Sequence, residues 1–335
     1  MPISRPRVAL IGTGGTISTV SRHALDLFDY GSAAKILEPD ALISELPQLR
    51  DVADVVPIPF RAIDSLAITS ADWLALDRVI DKVTSELSPL DGIVVTHGTG
   101  TLEETAYFLG LSIKTTIPVV LVGAFRPWNI VGSDARINLL NAVRVAVAPE
   151  SRQCGVLVLL QDEIHAAREV TKEIGFRTHG FRSPEFGVLG FVGPDGATSI
   201  YRRPTRAHTS VTEFNLHNAL TLPRVEIVYS YAEAAREPID ALVQAGVKGI
   251  VVAGFTTGRP APQQNAALDA AHRQGVRIFL STRSGHTHVP HYASFEARGF
   301  ITADNLNPQK ARILAMLGLT VTDDPARLRT MFGRY

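Results

Sequence analysis

Three loops of this 335-residue chain gather hydroxyls, glycines and one amine in a pattern suited to acyl transfer. The first is Gly12-Thr13-Gly14-Gly15-Thr16-Ile17-Ser18, which lifts the Thr16 hydroxyl on a glycine turn that a ligand can approach closely. A dinucleotide fingerprint is excluded, because its third glycine position holds Ile17 and no acidic residue ends a following strand at the required distance. A phosphate loop is excluded as well, since no lysine follows the glycines. The second loop is Thr96-His97-Gly98-Thr99-Gly100-Thr101, leading into Leu102-Glu103-Glu104-Thr105. Its glycines let backbone N–H groups reach a ligand, and N–H groups at a helix start suit an anion or oxyanion. The third runs from Asp162 to Lys172. A lone lysine is ordinarily a solvated surface group. Lys172 at the same sheet edge as two loop threonines, if desolvated, can serve as a general base. A threonine hydroxyl is too weak a nucleophile until a neighbour takes its proton, and a hydroxyl–lysine pair can do that.

These loops need a sheet to hold them. Short apolar runs predict strands at Val8–Ile11, Val52–Val56, Gly92–Thr96, Val119–Val122 and Gly155–Leu160. Trp73, Leu74, Leu76, Val79, Ile80 and Val83 recur at helical spacing and predict a helix over Ser70–Leu87, with Thr69, Ser70 and Asp72 as capping groups. Strand–helix alternation with nearly continuous apolar strands predicts a parallel sheet covered on both faces. In such sheets ligands lie beyond the carboxyl ends of the strands, where the glycine loops fall. A second alternating stretch predicts strands at Val225–Tyr229, Gly249–Ala253 and Arg277–Leu280, with helices at Pro238–Ala245 and Gln263–Arg273. The expected fold is α/β: a large N-terminal domain over 1–195, a linker over 196–222 and a smaller C-terminal domain over 223–335.

The motifs resemble those of the bacterial-type L-asparaginases and glutaminase-asparaginases, along the full length of the chain. Ile11–Ile17 is similar to the family's first threonine motif, and Val95–Thr99 with Glu103–Leu109 to its second. Val120–Pro127, Asn138–Ala142, Arg203–Ser210, Leu306–Arg312 and Phe332–Tyr335 resemble its other blocks. The resemblance implies that Thr16 is the nucleophile, that Tyr30 assists it, and that Thr99 and Lys172 form the activating pair. It implies that Ser65 binds a substrate carboxylate, beside Gly15 and Gly98. It further implies a dimer-of-dimers homo-oligomer in which a neighbour's C-terminal domain completes each site. No metal or organic cofactor is required by this chemistry.

Departures from the family pattern cluster on one part of the substrate. Where the family carries an aspartate that grips the α-ammonium, this chain has Gly100; where it often has glutamine, Leu66 stands. A common asparagine position reads Thr257, and the glutamate given across the subunit boundary has no match, with Tyr292 in that region and Glu296 farther along. Burying an ammonium without carboxylates costs on the order of several kcal/mol. The expected substrate is therefore an amide other than free L-asparagine: N-substituted, deaminated or cyclic. An ordinary L-asparaginase with compensating residues is the alternative, and a non-catalytic amide sensor is the alternative of another class.

Composition narrows the partners. Lys+Arg 33 balances Asp+Glu 33, which argues against nucleic acid and against a polybasic membrane surface. The single Cys154 rules out an intramolecular disulfide and is expected to be a small core residue. The apolar run after MPISRPR is too short for a signal peptide, and a cytoplasmic location is expected. His286, His288 and His291 could in principle hold a metal, but no carboxylate stands beside them in sequence, so a polar loop or a substrate contact is expected instead.

Overall fold

The computed structural model describes residues 5–27, 29–30 and 35–335. Met1–Ser4, at the start of the N-terminal run, lie outside them. The chain divides into two compact units, Met1–Thr212 and Glu213–Tyr335.

The first unit is built on strands β1 (Arg7–Gly12), β2 (Thr19–Val20), β3 (Lys35–Ile36), β4 (Asp54–Ile58), β5 (Gly92–Thr96), β6 (Val119–Val122), β7 (Val156–Leu160), β8 (Glu163–Ala166), β9 (Thr171–Lys172), β10 (Phe181–Arg182), β11 (Gly190–Val192) and β12 (Thr198–Ile200). Its helices are α1 (Pro39–Glu45), α2 (Leu49–Val52), α3 (Ser70–Glu86), α4 (Leu102–Ser112) and α5 (Ala135–Val147). An eight-stranded sheet runs in the order β12-β11-β8-β7-β6-β5-β1-β4. The pairs from β4 through β7 are parallel, and β8, β11 and β12 extend the sheet antiparallel. Every residue of β5, β6 and β7 is buried, as strands covered on both faces must be. Each fully buried Val or Leu there contributes roughly 1.5–3 kcal/mol of transfer free energy.

The order places the ligand edge. From β1 the chain moves to β4 on one side, then crosses to β5 on the other, so the winding reverses between β1 and β5. A crevice opens outside the carboxyl ends at such a reversal. The glycine loops after β1 and β5 are the loops that border it.

Helix α3 starts where its capping chemistry predicts. Thr69 N–H donates to Asp72 Oδ2 at 2.8 Å, while Asp72 N–H donates to Thr69 Oγ1 at 3.4 Å, a reciprocal capping box. Trp73, Leu74, Leu76, Ile80 and Val83 turn inward as expected.

The predicted strand over Val52–Val56 begins later: Val52 ends α2, and pairing with β1 starts at Asp54. The segment 196–222, expected as linker, contains β12, which pairs antiparallel with β11 and so belongs to the main sheet. Thr-Ser-Ile is too short and too polar to stand out from its turn-rich surroundings. The unit boundary at Thr212 falls after it. Cys154 is buried at the foot of β7, 1% exposed.

The second unit carries β13 (Val225–Tyr229), β14 (Gly249–Gly254), β15 (Arg277–Thr282) and β16 (Ile301–Thr302) as one parallel sheet in sequence order. Its helices are α6 (Glu237–Gln244), α7 (Pro262–Arg273), α8 (Ala293–Glu296), α9 (Pro308–Gly318) and α10 (Pro325–Arg334).

Candidate active site

The loop after β1 turns on two left-handed glycines, Gly14 at φ 89° and Gly15 at φ 87°. A Cβ at Gly15 would fall 2.4 Å from Gly98 N and 2.5 Å from Gly98 Cα, so the two glycine loops meet backbone to backbone. Only glycine permits that approach. The Gly15 carbonyl accepts from Ser18 N at 3.0 Å, Thr19 Oγ1 at 2.9 Å and Ser18 Oγ at 3.2 Å, which pins the turn beneath Thr16. Thr16 Oγ1 lies 2.9 Å from Tyr30 Oη.

The loop after β5 is held from its other side. His97 N–H donates to Val122 O at 2.8 Å, and a Cβ at Gly123 would come within 2.9 Å of His97 O and Thr99 Cγ2. Thr99 is buried, 8% exposed. Lys172 Nζ donates to Thr99 Oγ1 at 2.7 Å. Lys172 reaches this point because the antiparallel β8 carries the chain back from β7 and the short β9–β10 pair presents it. Glu103, in the first turn of α4, accepts from Thr171 Oγ1 at 3.1 Å and from Lys172 N at 3.3 Å. The Phe125 ring lies 5.1 Å from the ammonium. Burial pushes the Lys172 pKa below the usual lysine value, against the opposing pull of the Glu103 charge. A lysine so placed is a better proton acceptor near neutrality than a solvated one.

Ser65 opens a short helical turn that Asp64 caps by accepting from Leu66 N at 3.0 Å. Ile63 N–H donates to Thr13 O at 2.9 Å and Thr101 Oγ1 to Ser65 O at 2.8 Å, tying this turn to both glycine loops. Gly100 N–H donates to Ser65 Oγ at 3.3 Å. The serine hydroxyl proton is thereby left to donate elsewhere.

These groups border a cavity of about 550 Å³ lined by Gly14, Gly15, Thr16, Thr19, Asp29, Tyr30, Ile36, Ala62, Ile63, Asp64, Ser65, Gly98 and Thr99. Of the residues expected at the site, Thr16, Tyr30, Thr99, Gly15, Ser65 and Gly98 line it. Lys172 stands behind Thr99, reaching the cavity through that hydroxyl. Gly100 and Leu66 are not in the lining; they adjoin it through Ser65. A Cβ at Gly100 would lie 2.8 Å from Ser65 Oγ and 3.0 Å from Leu66 Cδ2, while Leu66 itself is 80% exposed.

Sequence reasoning missed Asp29 and Asp64, two carboxylate-bearing residues in the lining. Asp64 could have been found as the capping residue directly before Ser65; nothing in the sequence signals Asp29. Thr257 and Tyr292 belong to the second unit, at the turn after β14 and just before α8. Among the described residues no cluster of His, Cys, Asp and Glu could hold a metal. His288 pairs with Asp304 at 2.8 Å and His291 with Glu296 at 2.9 Å. Nor is any helix among the described residues long and apolar enough to cross a membrane.

Chemically, the arrangement offers a hydroxyl beside a phenol, a second hydroxyl beside a desolvated amine, and the Ser65 hydroxyl against the Gly98–Gly100 turn. Residues 7–206 match the family model described as "Asparaginase, N-terminal", and residues 224–332 the model "Glutaminase/Asparaginase C-terminal domain". The chain is 39% identical to L-asparaginase 2 of Bacillus subtilis over 98% of its own length and 87% of that protein's. It is 39% identical to the glutaminase-asparaginase of Pseudomonas fluorescens, over 98% and 90% of the two chains. The crystal structure of a probable cytoplasmic L-asparaginase from Campylobacter jejuni is similar at a TM-score of 0.95 and 40% identity, covering 99% of this chain and 100% of that one.

Proposed function

The chain belongs to the asparaginase family, and from that premise we propose that it hydrolyses a carboxamide through a threonine acyl-enzyme. Thr16 Oγ attacks the amide carbonyl carbon as its proton passes to Tyr30 Oη, 2.9 Å away, and the phenol's own proton moves on to the amide nitrogen. The carbon–nitrogen bond breaks and the leaving nitrogen departs protonated, as ammonia or an amine. The Thr16 ester is then hydrolysed by water whose proton passes to the Thr99–Lys172 pair, and a proton returns from the pair to the departing Thr16 oxygen to restore the hydroxyl. With Lys172 deprotonated, its hydrogen bond to Thr99 reverses and the amine accepts the hydroxyl proton. The Ser65 hydroxyl donates to a substrate carboxylate.

The proposed substrate is an amide without a free α-ammonium: deaminated, N-substituted or cyclic. The observation that carries this is the packing of Gly100 against Ser65 and Leu66. A side chain at position 100 would have to displace the Ser65 hydroxyl and Leu66 together. The place where the family's aspartate would stand is thus crowded by the Ser65 hydroxyl and by Leu66, the residue standing where the family often has glutamine. A second reading, ordinary hydrolysis of L-asparagine, is favoured by Asp29 and Asp64 in the cavity wall, which could meet an ammonium. A kcat/KM panel of L-asparagine, L-glutamine, succinamate and N-acetyl-asparagine decides between them. Efficient turnover of succinamate or N-acetyl-asparagine supports the first reading, and preference for L-asparagine the second. Thr16→Ala removes turnover under either.

A homotetrameric, cytoplasmic enzyme completes the proposal. The similar Campylobacter protein is described as cytoplasmic, whereas a 37% identical relative in Haemophilus influenzae is described as periplasmic. Sedimentation of the purified protein tests the assembly.

A further inference from the structure

His97 is wholly buried beneath the second glycine loop, 1% exposed, and both ring nitrogens are engaged. Nε2 lies 2.9 Å from Thr105 Oγ1, and Nδ1 lies 2.8 Å from Gly98 O. Thr105 Oγ1 also accepts from Trp73 Nε1 at 2.9 Å. The direction of this chain is forced. The Gly98 carbonyl only accepts, so the ring proton sits on Nδ1; Nε2 of the neutral ring then accepts from Thr105 Oγ1, whose oxygen accepts the indole N–H of Trp73. The ring is neutral; burial pushes its pKa down to about 4, partly offset by the bond to Gly98.

The consequence lies in the next atom. Gly98 C=O and Thr99 N–H belong to one planar trans peptide and point in opposite directions. Drawing the carbonyl down onto a buried imidazole turns the Thr99 N–H away from the core, toward the side on which Thr99 lines the cavity. Among the described residues that N–H donates to no protein acceptor. We infer that His97 is a positioning residue: its Nδ1–H sets the Gly98–Thr99 peptide and so holds the Thr99 amide ready to donate to a developing oxyanion.

That the amide meets an oxyanion rests on the proposed hydrolysis; that His97 sets the peptide does not. The test compares His97→Asn, His97→Gln and His97→Phe. Asparagine can place an N–H near the Nδ1 position, glutamine reproduces the Nε2 contact to Thr105, and phenylalanine fills the space with no donor. The expected result is kcat within about 10-fold of wild type for H97N. H97Q and H97F should lose about 10²-fold to 10³-fold in kcat with KM within about 3-fold, the scale of one lost oxyanion donor. A purely structural role would make all three variants lose activity in step with their melting temperatures. A crystal structure of H97Q should show the Gly98 carbonyl turned from its wild-type direction. H97Q with wild-type kcat, or with the carbonyl unmoved, overturns the inference. Should the wild type hydrolyse no amide, the carbonyl direction still decides it. His97→Phe, which fills the space with no donor, covers the case in which H97Q does not fold; its Gly98 carbonyl should turn as well, and an unmoved carbonyl there overturns the inference equally.

Discussion

Lys172 and Thr99 are 73 residues apart in sequence, yet the lysine Nζ sits 2.7 Å from the threonine Oγ1. The two come from different elements: Thr99 from the end of β5, Lys172 from a hairpin that follows the antiparallel turn-back at β8. A proton can pass between them without either moving, which is what a general-base pair requires.

Removing either partner should therefore cost about 10²-fold or more in kcat. Lys172→Met and Thr99→Val should cost little more together than singly, since they act as one unit. Additive losses would mean that they act separately.

The lysine must be deprotonated to accept a proton, so kcat should rise with pH through its pKa. Burial lowers that pKa and the Glu103 charge raises it. Neutralising the carboxylate in Glu103→Gln should move the rising limb of the kcat–pH profile to lower pH, while the side-chain oxygen still receives Thr171 and Lys172 N–H. A limb that stays in place or moves upward would assign it to another group.

Gly15→Ala should abolish turnover, because the added Cβ would fall 2.4 Å from a backbone nitrogen in the facing loop and the residue sits at φ 87°. Turnover measured beside a thermal melt checks this. A folded variant with wild-type turnover would show that the approach of the two loops is not needed.

Specificity should be exchangeable at the Gly100–Leu66 contact. Gly100→Asp alone pushes on Ser65 Oγ and Leu66 Cδ2 and should weaken turnover of every substrate. Gly100→Asp combined with Leu66→Gln restores the family's polar pair. It should raise kcat/KM for L-asparagine relative to succinamate by about 10-fold or more, the equivalent of 1.4 kcal/mol. An unchanged ratio would place discrimination elsewhere, with Asp29 and Asp64 the next residues to alter.

Away from the site, burial raises the Asp77 carboxyl pKa to about 6, despite the nearby Lys114. The folded state then holds this proton more tightly than the unfolded state, so stability falls as pH rises from about 4 to about 6 and stays lower above that. Asp77→Asn should leave the melting temperature nearly unchanged at pH 4 and raise it at pH 8, recovering at most about 3 kcal/mol. An equal shift at both pH values would point to packing rather than charge.

Much of this was readable from residue pattern, and the exceptions have physical causes. The β-branched runs of Gly92–Thr96 and Val119–Val122 give strands with those bounds, because burial on both faces leaves no alternative periodicity. The glycine loops follow from the strands. Thr198–Ile200 was unreadable because its pairing comes from a hairpin partner and not from its own three residues. Asp29 lines the cavity from a stretch with neither helix nor strand period, so no spacing rule points to it. Asp64 is both cap and wall, and only the structure distinguishes the two uses.

The central claim is that the cavity binds a carboxamide without a free α-ammonium. The most direct test is kcat/KM for succinamate divided by that for L-asparagine, measured on the purified wild-type enzyme at one pH. The two amides differ only at the α-carbon, where one carries an ammonium and the other hydrogen. A ratio of about 10 or greater is predicted; a ratio below one, with L-asparagine turned over efficiently, would contradict the claim.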